Sequence, residues 1–173
     1  WMVAHREQQS LAKRLIEESC EKQQIQRGHL TVHADRGSSM KSKVVAELLA
    51  DLGVTKTHSR PHVSNDNPYS EAQFKTLKYC PRFPANFGSI QDSRWFCRDF
   101  FNWYNIEHHH SGIALLTPEQ VHYGLAEEIN DRRAAVLAAA FEKHPNRFKH
   151  KLPAPQQVPD AVWINPPSTE NAG

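Results

Sequence analysis

The first thirty-four residues contain no aspartate, the whole chain has only three cysteines, and no apolar run approaches the ~18 residues that a membrane span needs. Each scarcity excludes something. Cys20, Cys80 and Cys97 are odd in number and form no CxxC pair, which argues against a disulfide framework and a four-cysteine zinc site and fits a reducing, cytoplasmic setting. With no long apolar run and no charged, apolar, small-residue leader, a soluble protein without a membrane partner is expected. No internal repeat suggests a solenoid. The formal net charge of +2 is too mild to establish a nucleic-acid partner by itself.

What is present says more. A length of 173 residues suits one domain with an appended tail and can bury a real core. Basic residues gather at Lys41 and Lys43, at Lys75, Lys78 and Arg82, and at Lys143, Arg147, Lys149, His150 and Lys151, whereas acids gather at Glu17, Glu18, Glu127 and Glu128. Such basic clusters suit phosphate contact, although a solvated helix face is the commoner meaning of any one of them.

Residues 1 to 4 read as the end of a strand, and Leu11, Ala12, Leu15 and Ile16 mark one face of a helix from about Glu7 to Lys22. His29 to His33 alternate as a short strand that delivers Asp35 into a loop, where Gly37 can turn without steric cost. Val44, Val45, Leu48 and Leu49 repeat with helical period, and Gly53 supplies a left-handed stop before a strand at Val54 to Ser59. The two strands are expected side by side and parallel. Pro61, Ser64, Asn65 and Asp66 are loop chemistry; Asn67 and Pro68 read as an N-cap and first helical position, with Phe74 and Leu77 in an apolar stripe until Pro81. Ser89 opens a helix carrying Trp95, Phe96, Phe100, Trp103 and Tyr104, expected in the core. Thr117, Pro118 and Gln120 start another helix, and an alanine-rich helix ends at Pro145. Residues 145 to 173 hold six of the eleven prolines and read as a tail that wraps the domain or stays mobile.

Asp35 and Glu71 have thirty-five residues between them, one at a strand end and one in the first turn of a helix. Carboxylates so placed can hold hard divalent ions, provided the helix packs beside the strand. The spacing alone is weak, but the segments around it, HADRGSSM and SNDNPYSEAQFKTLK, followed by FFNWYNIEHHHSGIALLTPEQVHYG and RFKHKLPAPQQVPDAVWINPP, resemble insertion-sequence transposases with a retroviral-integrase-type (D,D-35-E) catalytic core. Ala34 departs from the serine usual between the histidine and the aspartate of that family.

The resemblance implies an α/β fold, a ribonuclease H-like mixed sheet with flanking helices. It makes Asp35 and Glu71 the second and third catalytic carboxylates and the ligands of Mg2+ or Mn2+. It implies DNA partners, transposon ends and target, and a homo-oligomer when intact. Lys75 and Lys78 follow Glu71 along one helix face; they either grip DNA beside the metals or close an i,i+4 ion pair. Asp66 is either a stray metal ligand or, more readily, an Asx-turn residue. His33 either orients Asp35 or ends its strand, while a zinc site at His58 and His62 or at His108, His109 and His110 lacks cysteine partners.

The first aspartate of the family has no counterpart here, and Glu7 is expected on the wrong side of the sheet. An N-terminally truncated enzyme is therefore expected, lacking the first strands, with residues 1–125 a partial core and residues 126–173 a C-terminal helix and proline-rich basic tail. Alone it is expected to be marginally stable and not to cleave or join DNA. The competing reading is a non-catalytic DNA-binding or assembly remnant of a transposase.

Overall fold

The strand expected at residues 1 to 4 does not form. Among the described residues no strand pairs with them, and the carbonyl of Val3 instead accepts from Nε and Nη2 of Arg94, both at 3.2 Å. The structure, a computed structural model, describes residues 1–60 and 66–164; the expected loop residues Pro61, His62, Ser64 and Asn65 and the prolines Pro166 and Pro167 lie outside that range. Two compact units divide the chain, one of Trp1–Arg94 with the end of the chain from Trp163, the other of Trp95–Val162.

The first unit runs α1 (Gln9–Lys22), β1 (Thr31–Ala34), α2 (Lys43–Leu52), β2 (Thr55–His58) and α3 (Pro68–Lys78). As expected, β1 and β2 pair in parallel, with His33 opposite Thr57 and Ala34 opposite His58. Parallel neighbours cannot be joined by a tight turn, and α2 is the crossover. Among the described residues the sheet has these two strands. The local sequence explains α2 well: Ser42 Oγ accepts from Val45 N at 3.3 Å, Val45, Leu48 and Leu49 turn inward, and Gly53 stops the helix at φ 64°. Arg27 donates to the carbonyls of Asp51 and Ala50 in the last turn of the helix, the latter of which also accepts from Gly53 N. Cys20, Val45, Leu49 and Val54 form the core, with Ala12 and Ile16 of α1 and Val32 of β1 packed on it. Cys20 thus serves as a small buried hydrophobe.

Helix α4 (Ile90–Ile106) opens where Ser89 Oγ accepts from Asp92 N at 3.1 Å. Its aromatic residues are not uniformly buried. Phe100 is 1% exposed, but Trp95 is 62% exposed with the Arg98 guanidinium 3.8 Å above its ring. Five positions along a 3.6-residue helix carry a side chain most of the way to the opposite face.

In the second unit α5 (Pro118–His122) begins with a reciprocal capping box between Thr117 and Gln120, and α6 (Ala126–Lys143) is followed by a 3₁₀ turn at Pro145–Phe148. Phe100, Ala114, Leu116 and Thr117 are its buried centre. Ala114 and Leu115 adopt left-handed φ angles of 59° and 54°, and their carbonyls accept from Arg133 at 2.7 Å each. The three consecutive histidines pack here: His108 stacks near Tyr104, His109 Nδ1 bonds the Leu115 carbonyl at 2.8 Å, and His110 meets Tyr104 edge-on. Burial first, then the charge of His108, holds His110 below the usual histidine range. Around Gln156 the tail lies against this unit, through Gln156 Nε2 to Ser111 O at 3.3 Å and Asn130 Nδ2 to Gln157 Oε1 at 3.2 Å.

Candidate metal and nucleic-acid site

Asp35 leaves the C-terminal end of β1 with its side chain exposed. Its Oδ1 accepts from Gly37 N at 3.0 Å, and its carbonyl bonds His58 Nδ1 at 3.0 Å, which ties the turn to the end of β2. At Gly37 the constraint is one of space and not of backbone torsion. Its φ is not positive; rather, a Cβ there would lie 3.0 Å from Asp35 Oδ1 and 3.6 Å from Glu7 Oε1. The same distances correct the placement of Glu7, whose carboxylate comes to the Asp35 turn because α1 starts beside it.

Glu71 stands in the first turn of α3, with Pro68 at the helix start as expected and Asn67 at the N-cap position, although the Asn67 side chain makes no capping bond. The helix buries none of its residues. Ser70, Gln73, Thr76 and Leu77 are half-buried, whereas Glu71, Phe74, Lys75 and Lys78 are exposed along the opposite arc. Phe74, expected in the apolar stripe, is 58% exposed. One turn from Leu77 on the wheel, it falls outside the narrow arc that this helix covers. No ion pair joins Glu71 to Lys75, while the i,i+4 pairs Arg14–Glu18 and Lys43–Glu47 close at 2.6 and 3.5 Å.

A hydrogen-bonded latch connects the strand of Asp35 with the entrance to the helix of Glu71. His33 Nε2 lies 2.9 Å from the Asp66 carbonyl and Nδ1 2.9 Å from Thr57 Oγ1. A carbonyl can only accept, so Nε2 is the donor to Asp66. Asp66 itself is 5% exposed, and its carboxylate accepts from Arg60 N at 2.7 Å and from Arg60 Nε and Nη2 at 2.9 Å each. Hydrogen bonding to Asp66, then its charge, raises the Arg60 guanidinium above its usual pKa. The Asp66 carboxylate is thus tied to Arg60, just past the end of β2.

The profile of the integrase core domain matches residues 52–118, a stretch that includes Glu71, Lys75 and Lys78. The transposase for insertion sequence element IS904 of Lactococcus lactis subsp. lactis (strain IL1403) is 28% identical over 120 residues, which cover 69% of this chain and 47% of that protein. Over these stretches the chain is similar to the integrase core domain and to an insertion-sequence transposase. It spans about half the length of the curated relative it matches.

For an integrase-type core the placement is informative. Asp35 and Glu71 fall in one unit, joined through His33 and Asp66, yet among the described residues no three His, Cys, Asp or Glu side chains assemble as a metal site. Sequence reasoning missed the role of Arg60. The available signal was an opposite charge at each end of a short proline-containing loop. No helix among the described residues is long and apolar enough to cross a membrane.

Proposed function

We propose that this chain contributes the Asp35 and Glu71 arm of a DNA transposition enzyme with a ribonuclease H-like core, residues 1–125 forming the partial core and residues 126–173 its C-terminal appendage. The observation that carries the reading is the exposed arc of α3, where Glu71 stands beside Lys75 and Lys78 with neither lysine in an ion pair with it. The donor chemistry fits a hard divalent ion: Asp35 and Glu71 are exposed carboxylates, and among the described residues only one Asp35 oxygen is engaged, by a backbone N–H. Bound Mg2+ or Mn2+ would supply Lewis-acid stabilisation of charge on the phosphoryl oxygens. Asp35 and Glu71 would hold it, and Lys75 and Lys78 would neutralise backbone phosphates and hold the DNA end in register. In the intact enzyme, water first releases the transposon 3′ end. Its freed 3′-hydroxyl oxygen then bonds the target phosphorus as the target's own 3′ oxygen leaves. DNA ends and target are the partners, and the working form is a homo-oligomer.

Two carboxylates are a thin ligand set for such chemistry, which favours the second reading for this chain by itself: DNA binding or assembly without catalysis. DNA binding is then expected to persist in chelator, and no strand transfer is expected. Magnesium-dependent strand transfer by the purified chain would overturn that expectation. The metal reading is tested by Mn2+ titration without DNA, followed by electron paramagnetic resonance. Asp35→Asn and Glu71→Gln are each expected to weaken Mn2+ binding, and affinity unchanged in both variants would sink the assignment.

A further inference from the structure

Exposed rings on the α3 surface are out of keeping with a helix that merely covers a core. Phe74 is 58% exposed and Tyr79, at the C-cap, 82% exposed. They bracket charge, for Phe74 and Tyr79 stand at the two edges of the exposed arc, about 140° apart on the helix wheel, with Lys75 and Lys78 between them, and Arg82 is exposed just beyond. Leaving much of a phenylalanine ring in water forfeits the stabilisation that its burial would give. A lone exposed ring is unremarkable, but rings interleaved with unpaired lysines on one arc match what an unpaired nucleic-acid strand needs: π faces for its bases and cations for its phosphates.

We propose that Phe74 and Tyr79 are two separate stacking points for unpaired bases at a DNA end, one at each edge of the exposed arc, with Lys75 and Lys78 between them and Arg82 beyond holding the adjoining phosphates. The proposal rests on the DNA-binding reading above and narrows its substrate to an end with single-stranded character. Charge complementarity selects nucleic acid over a second copy of the chain, because the arc carries Lys75 and Lys78 against the single acid Glu71. A duplex offers phosphates but keeps its bases stacked on one another; a frayed or overhanging end offers both.

The test is fluorescence anisotropy with the full 173-residue chain and two labelled DNAs, a blunt duplex and the same duplex with a short 3′ overhang. Phe74→Ala and Tyr79→Ala are each expected to weaken binding to the overhang roughly tenfold while leaving the blunt duplex nearly unaffected. Lys75→Gln and Lys78→Gln are expected to weaken both DNAs alike and to flatten the salt dependence. Phe74→Trp restores the overhang preference and gives a ring whose fluorescence the base quenches. Tyr79 is so exposed that its truncation leaves the fold intact, so a misfolded Phe74 variant would not shelter the idea. Equal loss on blunt and overhanging DNA, or no loss from either ring, overturns stacking while leaving the lysine contacts standing. Absence of any DNA binding overturns both readings. A change in sedimentation with no change in DNA affinity would assign the arc to a second copy of the chain.

Discussion

Helices α2 and α3 each follow a strand or its loop within the same unit, yet they solve opposite problems. In α2 a serine cap, a left-handed glycine stop and three buried aliphatic residues all agree on one inward face. In α3 the N-cap side chain makes no bond, no residue is buried, and phenylalanine and lysines share the exposed arc. Local sequence and tertiary packing reinforce each other in α2. In α3 they part, and the helix is instead held at its entrance, through the Asp66 carbonyl on His33 and the Asp66 carboxylate on Arg60. Such local disagreement is what a surface kept free for a ligand looks like.

The contrast is broken most forcefully in the core. Leu49 is 2% exposed and belongs to the core cluster with Cys20 of α1, Val45 and Val54, so Leu49→Ala is expected to cost about 2–5 kcal/mol. Urea unfolding of the whole chain, followed by circular dichroism, measures it. A loss below that range would mean the packing of α2 on α1 is looser than its buried residues indicate.

His33→Leu tests whether α3 depends on its entrance. Loss of the bonds to Asp66 and Thr57 is expected to cost about 1 kcal/mol. The sharper readout is hydrogen exchange: amides of α3 should exchange faster while those of α2 keep their protection, and His33→Gln, which can still donate to the Asp66 carbonyl, should restore most of the difference. Equal acceleration in both helices would show that His33 merely supports the sheet.

These helices also show how far residues announce structure. The α2 helix and the parallel pairing of β1 with β2 were legible because periodicity, capping and the glycine stop are local signals that coincide. The first strand was not, because strand formation at residues 1 to 4 depends on a neighbour that the local sequence cannot report. Phe74 misled for a related reason: helical period places it next to Leu77, but only tertiary packing decides how wide an arc is covered. Asp35 and Glu71 were singled out through the segments around them and remain a proposal, while the Arg60–Asp66 anchor and the Glu7 approach to Gly37 depend on chain geometry that no short motif encodes.

Capping offers a smaller and paired test. Ser42→Ala removes the oxygen that accepts from Val45 N and is expected to cost about 1 kcal/mol, whereas Asn67→Ala should fall within about 0.5 kcal/mol of the parent because its side chain caps nothing. Thermal unfolding of both variants side by side decides it. A cost at Asn67 equal to that at Ser42 would mean that α3 is capped in solution as α2 is.

Phe74→Ala should have the smallest effect on stability and the largest meaning for the comparison. Its ring is 58% exposed, so truncation is expected to change unfolding free energy by less than about 0.5 kcal/mol, against the several-fold larger loss at Leu49. Both are large apolar residues on helices of one unit, and burial alone separates them. A ring that contributes nothing to folding and presents a hydrophobic surface to water is a burden to the isolated chain, so the variant should also be more soluble, measured as the concentration at which light scattering rises. If Phe74→Ala instead destabilises the chain as Leu49→Ala does, the ring belongs to the core after all, and α3 becomes a second α2. If stability holds and solubility rises, the cost of keeping Phe74 exposed has no return within the fold, and its use must be sought in what α3 binds.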